Sequence, residues 1–241
     1  MKKWAATQWA GSHGLRPYGP PGGGRGGEGY IVSKYVHNPL LIGRRKFDLR
    51  LYVLVTSFRP LRVYMSRLGF ARFCGVEYDP ASEKIDDAYV HLTNVAVQKH
   101  SDDYNSSHGN EWPLNTLRTY LESNFGGARA RQLFKDINAI VVHSLKAVQG
   151  VMNHDKHCFE LYGYDIIIDA DLKPWLIEVN ASPSLAATTD PDMQLKTSVL
   201  TDTLSLIAPQ DRVDLSGPAP ACLRRCGSMD LLLDESSTRS K

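Results

Sequence analysis

Residues 162–185 read YGYDIIIDADLKPWLIEVNASPSL. Isoleucine, leucine and valine dominate both halves, and the polar ADLK between them has the composition of a short turn. The stretch is therefore expected to form two antiparallel strands joined as a hairpin. Two carboxylates and an amide interrupt it: Asp165 in the first half, Glu178 and Asn180 in the second. A turn centred between Asp171 and Leu172 pairs position 165 with 178. Residues directly opposite in such a ladder carry their Cβ atoms about 4.5–5.5 Å apart on one face. Asn180, two positions on, points to that same face. Facing carboxylates without a counter-charge repel, and one must take up a proton. A divalent cation removes the conflict, and carboxylate and amide oxygens suit Mg2+, which keeps several waters and shares the phosphate oxygens of a nucleotide. The competing reading is a solvent-facing hairpin edge with scattered polar groups. The apolar flanks DIIID and LIEVN favour buried sheet and a metal site.

Upstream, FDLRLYVLVTS alternates, with Phe47, Leu49, Leu51, Val53 and Val55 on one face and Asp48, Arg50 and Tyr52 on the other. RPLRVYMSRLGFARF gives a further strand after a turn around Pro60, and GYIVSKYV reads as an earlier one. A short helix is expected over 113–125. From 128 to about 151, Leu133, Ile137, Ile140, Val141, Leu145 and Val148 recur every three or four residues, as in an amphipathic helix. A last helix is expected over 190–206. Strand runs, a helical excursion and a return to strands imply an α+β fold with a mainly antiparallel sheet and packed helices. Residues 1–28, rich in Gly and Pro, read as a disordered lead-in, 29–206 as the folded domain, and 207–241 as a disordered tail in which MDLLLDE forms at most a short helical turn.

The 241 residues carry a formal net charge of +2, so overall charge points to no partner class. Between 44 and 72, however, Arg44, Arg45, Lys46, Arg50, Arg59, Arg62, Arg67 and Arg72 meet one acid, Asp48. Such a run is either a solvated face or an attractor for a polyanion. No apolar run approaches the roughly 20 residues of a membrane span, and the N-terminus has no signal-like segment. Cys74, Cys158, Cys222 and Cys226 show neither disulfide-framework nor zinc spacing, and are expected to be reduced thiols in a cytosolic protein. HDKHC lacks a second ligand cluster and is expected at a helix end and strand start rather than on a metal. GGGRGG is followed by no GK[ST] and is not a phosphate loop. No nucleic-acid recognition motif accompanies the basic run.

Five blocks, RKFDLRLYVLV, GFARF, YVHLTNVAVQK, CFELYGYDIIID and KPWLIEVNASPSL, together resemble the tubulin tyrosine ligase-like family of ATP-grasp enzymes, and most closely its glutamate-adding members, the tubulin polyglutamylases of cilia and flagella. The resemblance implies an ATP-grasp-like domain over 29–206 that uses ATP and Mg2+. Lys46, Phe47 and Asp48 match the nucleotide-handling motif, the lysine reaching base or phosphates and the acid the ribose. Ser33, Lys34, Tyr35 and Val36 match the segment beside the adenine, where relatives carry Gln-Arg instead of Ser-Lys. Thr93 and Asn94 match further nucleotide contacts. Arg72 matches the arginine that holds the incoming amino acid or the transferring phosphate, Arg50 is expected near the acceptor carboxylate, and Asp165, Glu178 and Asn180 match the magnesium ligands. Singly, Lys46, Arg72 and Asp48 are also ordinary surface or edge-strand charges, and His91 is equally a backbone cap.

The reaction so implied joins free glutamate to glutamate side chains of the acidic tubulin tails through an acyl phosphate. The partners are tubulin or microtubules and, where required, subunits of a polyglutamylase complex. The location is the cytoplasm and cytoskeleton, with the axoneme or basal body of a cilium or flagellum. The matching blocks start late, so the upstream lobe of an ATP-grasp clamp is expected to be missing. The alternative is a truncated, non-catalytic module that docks on tubulin or on a polyglutamylase complex, and glycine stands as the alternative added amino acid.

Overall fold

The computed structural model describes residues 33–80, 87–98, 110–152, 155, 158–187, 189–207 and 224–238. The alternating segments at 45–73 become its two longest strands, β2 (Arg45–Phe58) and β3 (Leu61–Phe73), joined at Arg59–Pro60. A two-residue strand β1 (Leu41–Ile42) folds back on β2 through Gly43 and Arg44, both at positive φ, as a tight hairpin turn of primed type demands. Next come two single-turn helices, α1 (Ala88–His91) and α2 (Val95–Gln98), then β4 (Glu111–Pro113), α3 (Leu114–Phe125) and α4 (Gly127–Val148). The quoted hairpin is β5 (Glu160–Ile168) and β6 (Pro174–Asn180), followed by α5 (Asp190–Ile207), β7 (Arg225–Cys226), β8 (Met229–Asp234) and a final 3-10 turn. The main path of the sheet runs β6-β5-β2-β3-β8-β7, with β1 on β2 and β4 on β3, and every pairing is antiparallel.

Each sheet face has its own core. Phe47, Leu49, Leu51, Val53 and Val55 pack with α3 and α4 through Leu117, Leu121, Leu133, Ile137 and Val141. On the opposite face Tyr52, Leu54, Tyr64 and Phe70 pack with Val199 and Leu206 of α5. β2 is thus buried on both sides, which the alternation of FDLRLYVLV only half reveals. Among the described residues no helix is long and apolar enough to cross a membrane.

Four expectations are corrected. Residues 33–36 belong to no strand among the described residues, and contacts divide the chain into units 1–35 and 36–241; residues 29–32 lie outside the described residues. The tail supplies two strands: β8 pairs with β3, buries Met229, and brings Asp234 to Arg62. Its turn is held by the Asp202 carboxylate, which accepts from Ser228 N at 2.7 Å and Ser228 Oγ at 2.6 Å. A Cβ on Gly227 would collide with that carboxylate. MDLLLD carried no warning of this because its partner, β3, lies over 160 positions away. β6 is an edge strand with Trp175, Leu176, Ile177 and Val179 exposed, not buried sheet. The basic run, finally, is a solvated face only in part. Arg44, Arg59 and Arg67 are exposed, whereas Lys46, Arg62 and Arg72 are buried and Arg45 and Arg50 half-buried, because strand alternation turns them into the protein.

Candidate active site

Strand register assembles the site. Asp48 on β2 lies opposite Arg72 on β3, Arg50 opposite Asp165 on β5, and Asp165 opposite Glu178 on β6. Opposed residues share a face, so these side chains meet across four strands. The hairpin turn contributes through Asp169, unnoticed in the sequence. Its Oδ1 accepts from the backbone N–H of Asp171 (3.0 Å) and Lys173 (2.9 Å), and its Oδ2 from Trp175 Nε1 (2.9 Å). Leu172 takes a positive φ to close the turn. The turn centres one half-step earlier than expected, on residue 171, and a bulge between Asp165/Glu178 and Ile166/Leu176 restores the expected pairing at the site.

Arg72 donates through Nε to Asp48 Oδ1 at 2.9 Å and through its terminal nitrogen to Asp48 Oδ2, and lies 3.0 Å from Asp165 Oδ2. Arg50 grips the same Asp165 with two bonds, 2.6 and 3.1 Å. Burial by itself would raise the Asp165 carboxyl, but the Arg50 hydrogen bonds and the charges of both arginines outweigh it and hold the group below its ordinary value. Burial likewise works against the Arg72 cation, and Asp48 and Asp165 overcome it, so Arg72 keeps its proton at any working pH. Asn180 Nδ2 lies 3.1 Å from Glu178 Oε1 and 3.4 Å from Asp165 Oδ2, which ties the three expected metal ligands together.

Those three fit a divalent cation. Glu178 is exposed, and among the described residues no cation pairs with it. A flip of the Asn180 amide presents its oxygen to the same point. Two guanidinium charges against Asp48, Asp165 and Glu178 leave one negative charge for a cation to meet. Among the described residues no group of three His, Cys, Asp or Glu side chains converges, so the third donor beside Asp165 and Glu178 is the Asn180 amide; His154 and His157 of HDKHC lie outside those residues.

The nucleotide candidates divide. Lys46 is buried at the end of β2 and donates to His91 O at 2.7 Å. Burial lowers its pKa despite Cys74 and Asp48 nearby, and the Cys74 thiol is itself pushed up to about 12 by burial. Phe47 points its side chain to the opposite face, where its ring lies tilted against Phe73 at 5.2 Å in the core. Asp48 has both oxygens engaged by Arg72 rather than open to a ribose. Thr93 and Asn94 form the turn between α1 and α2, where Asn94 O accepts from Val97 N and Gln98 N. Gln98, also missed, organises this segment: buried, it donates to Tyr89 O and Leu92 O and accepts from Gly75 N. The His91 ring meets Tyr78 edge-on at 6.0 Å. Ser33, Lys34 and Tyr35 are exposed residues of the separate N-terminal unit, and Val36 is half-buried at the start of the main one.

The sequence also left out a second polar group on this face. Glu111 of β4 lies opposite Arg72. Burial and then Asp192 push its carboxyl up to about 7, with Lys196, Arg72 and Arg50 opposing. Tyr52, fully buried between β3 and β5, has a hydroxyl without a hydrogen-bond partner among the described residues.

The profile of the tubulin-tyrosine ligase family matches residues 20–215. The chain is 48% identical over 215 residues to the probable alpha-tubulin polyglutamylase Ttll1 of Tetrahymena thermophila, covering 88% of this chain and 52% of that protein. It is 51% identical over 208 residues to the probable tubulin polyglutamylase TTLL9 of Bos taurus (86% and 43%). With the human tubulin polyglutamylase TTLL5 the identity is 39% over 195 residues (75% and 15%). The chain thus spans about half the length of the Tetrahymena and bovine proteins. The family's match includes every strand and helix that builds the site, and the chain belongs to the tubulin-tyrosine ligase family.

Proposed function

We propose that this chain carries the metal-bearing half of an ATP-dependent ligase that adds glutamate to glutamate side chains of tubulin C-terminal tails. One observation supports the reading above all: Asp48, Arg72, Arg50 and Asp165 form a single ion network on one sheet face, with Glu178 and Asn180 beside it. Polyglutamylation itself comes from the names of the relatives.

Asp165, Glu178 and Asn180 would hold Mg2+, which supplies charge neutralisation for the phosphates of ATP. Arg72, a permanent buried cation, gives its two parallel N–H bonds to Asp48 and a contact to Asp165, so it would serve the reaction through its fixed positive charge beside the metal pole. Arg50 lies closer to the exposed edge strand and faces the acceptor carboxylate. An oxygen of that carboxylate would bond to the terminal phosphorus of ATP as the bond to the bridging oxygen breaks, giving an acyl phosphate and releasing ADP. The amine of free glutamate then forms the new C–N bond, the C–O bond to phosphate breaks, and phosphate leaves with the proton the amine gives up. The protein works with its substrate, on microtubules of the cytoplasm and of the cilium or flagellum.

A second reading has its own support: Asp165 is already gripped by two arginines, as in an inert ion network of a non-catalytic module that docks on tubulin or a polyglutamylase complex. Incubation of the purified chain with microtubules, MgATP and radiolabelled glutamate separates the two, with Glu178→Gln as control. Incorporation abolished by that change is expected. Microtubule co-sedimentation without incorporation favours the docking module, and incorporation of labelled glycine in place of glutamate changes the added amino acid.

A further inference from the structure

The buried charges that the proposed chemistry leaves unused gather at the start of α5. Lys196 and Asp192 lie one helical turn apart, both buried, with Lys196 Nζ 2.8 Å from Asp192 Oδ2. The same ammonium donates to the carbonyl of Ala186 at 2.6 Å. Ion pairs removed from water recover their desolvation cost only with good geometry and further hydrogen bonds, so what this ammonium grips is informative.

Ala186 belongs to residues 181–187, which form neither helix nor strand and are exposed except for half-buried Pro183. The segment leaves β6 directly after Glu178 and Asn180. Its other anchor is Pro183: a Cβ on Gly163 would lie 2.8 Å from Pro183 Cβ. Gly163 is the register partner of Asn180, and Arg50 Cδ and Nε lie 3.3 and 3.4 Å from that same point. The segment is therefore held at two points, one where Pro183 packs over Gly163 with Arg50 beside it, the other by Lys196. The helix carrying Lys196 is fixed in turn by Val199 and Leu206 in the core.

We propose that Lys196, steadied by Asp192, is a positioning residue for the metal pole of the site: it holds residues 181–187 so that Asn180 and Arg50 keep their places beside Asp165 and Glu178. This rests on the metal reading of Asp165, Glu178 and Asn180. Outer groups that orient ligands commonly change metal affinity by about 10–100-fold when removed.

The test measures Mn2+ binding to the purified chain by electron paramagnetic resonance. The double variant Lys196→Met, Asp192→Leu removes both buried charges together, so neither is stranded. Its melting temperature is expected to stay close to wild type while the Mn2+ dissociation constant rises about tenfold. A folded double variant that binds Mn2+ as tightly as wild type overturns the proposal. Pro183→Gly loosens the other anchor without touching the buried pair. Several-fold weaker Mn2+ binding is expected there, and unchanged affinity overturns the proposal even where the double variant fails to fold. Wild type that binds no Mn2+ overturns the metal reading and this proposal with it, an outcome distinct from equal binding by all three proteins.

Discussion

Asp165 and Glu178 are register partners with opposite physical situations. Asp165 is buried under two guanidinium groups, whereas Glu178 stands on an exposed edge. Asp165→Asn removes the charge that both arginines meet and is expected to destabilise the fold by about 3–5 kcal/mol, read by urea denaturation. Glu178→Gln is expected to leave the melting temperature unchanged and to abolish Mn2+ binding. A pH titration separates Asp165 from one further carboxyl, Glu111. The Asp165 carboxyl is held below its ordinary value, so its stabilisation is complete above the unfolded pKa of about 3.9 and is lost as pH falls below it. Glu111 behaves in the opposite sense. Pushed up to about 7, it binds a proton in the folded state that the unfolded chain releases near pH 4.3, roughly. Its contribution therefore declines as pH rises from about 4.3 toward 7. Urea midpoints measured across that interval should fall with pH more steeply in wild type than in Glu111→Gln.

Among the elements, the β5–β6 hairpin decides whether the proposed metal ligands meet. A one-residue slip turns every side chain to the other face, and Asp169 guards against it by satisfying two turn N–H groups and the Trp175 indole. Asp169→Ala leaves those donors without their acceptor and is expected to cost about 2–3 kcal/mol, measured by thermal melting, and to weaken Mn2+ binding in parallel. Gly163→Ala acts on the same hairpin from the other side. Its methyl group meets Pro183 and Arg50, and overpacking of this kind costs about 1–3 kcal/mol. Loss of Mn2+ affinity larger than the loss of stability would place the damage at Arg50 and the 181–187 segment.

Across the whole molecule, the described sheet ends on β6 at one side and on the short β7 at the other. β8 covers β3 from the C-terminal side, burying Met229 and pairing Asp234 with Arg62. Removal of residues 208–241 uncovers that side, and the shortened chain is expected to melt at lower temperature and to bind more of a hydrophobic dye than the longer one. β6 at the other end remains an edge with exposed apolar side chains, the kind of surface that marks contact with another polypeptide.

Much of this was legible without coordinates, for a reason that differs from part to part. Period-two alternation marked β2 and β3, three-to-four-residue spacing marked α4, and a polar turn between apolar runs marked β5 and β6, since local periodicity records which face is buried. That Asp165, Glu178 and Asn180 share one face followed from the same alternation, because opposite residues in a hairpin are neighbours in the chain's own local geometry. What only the tertiary structure decided depends on contacts between distant segments. β8 finds β3 across more than 160 positions, Arg72 spends its guanidinium on Asp48 and Asp165, Phe47 turns to the core, and Lys196 reaches Ala186 from a later helix. A charged residue reads alike in sequence whether it faces water or a buried partner. The difference is made by burial, which costs a charge its hydration unless the fold brings an opposite charge to meet it.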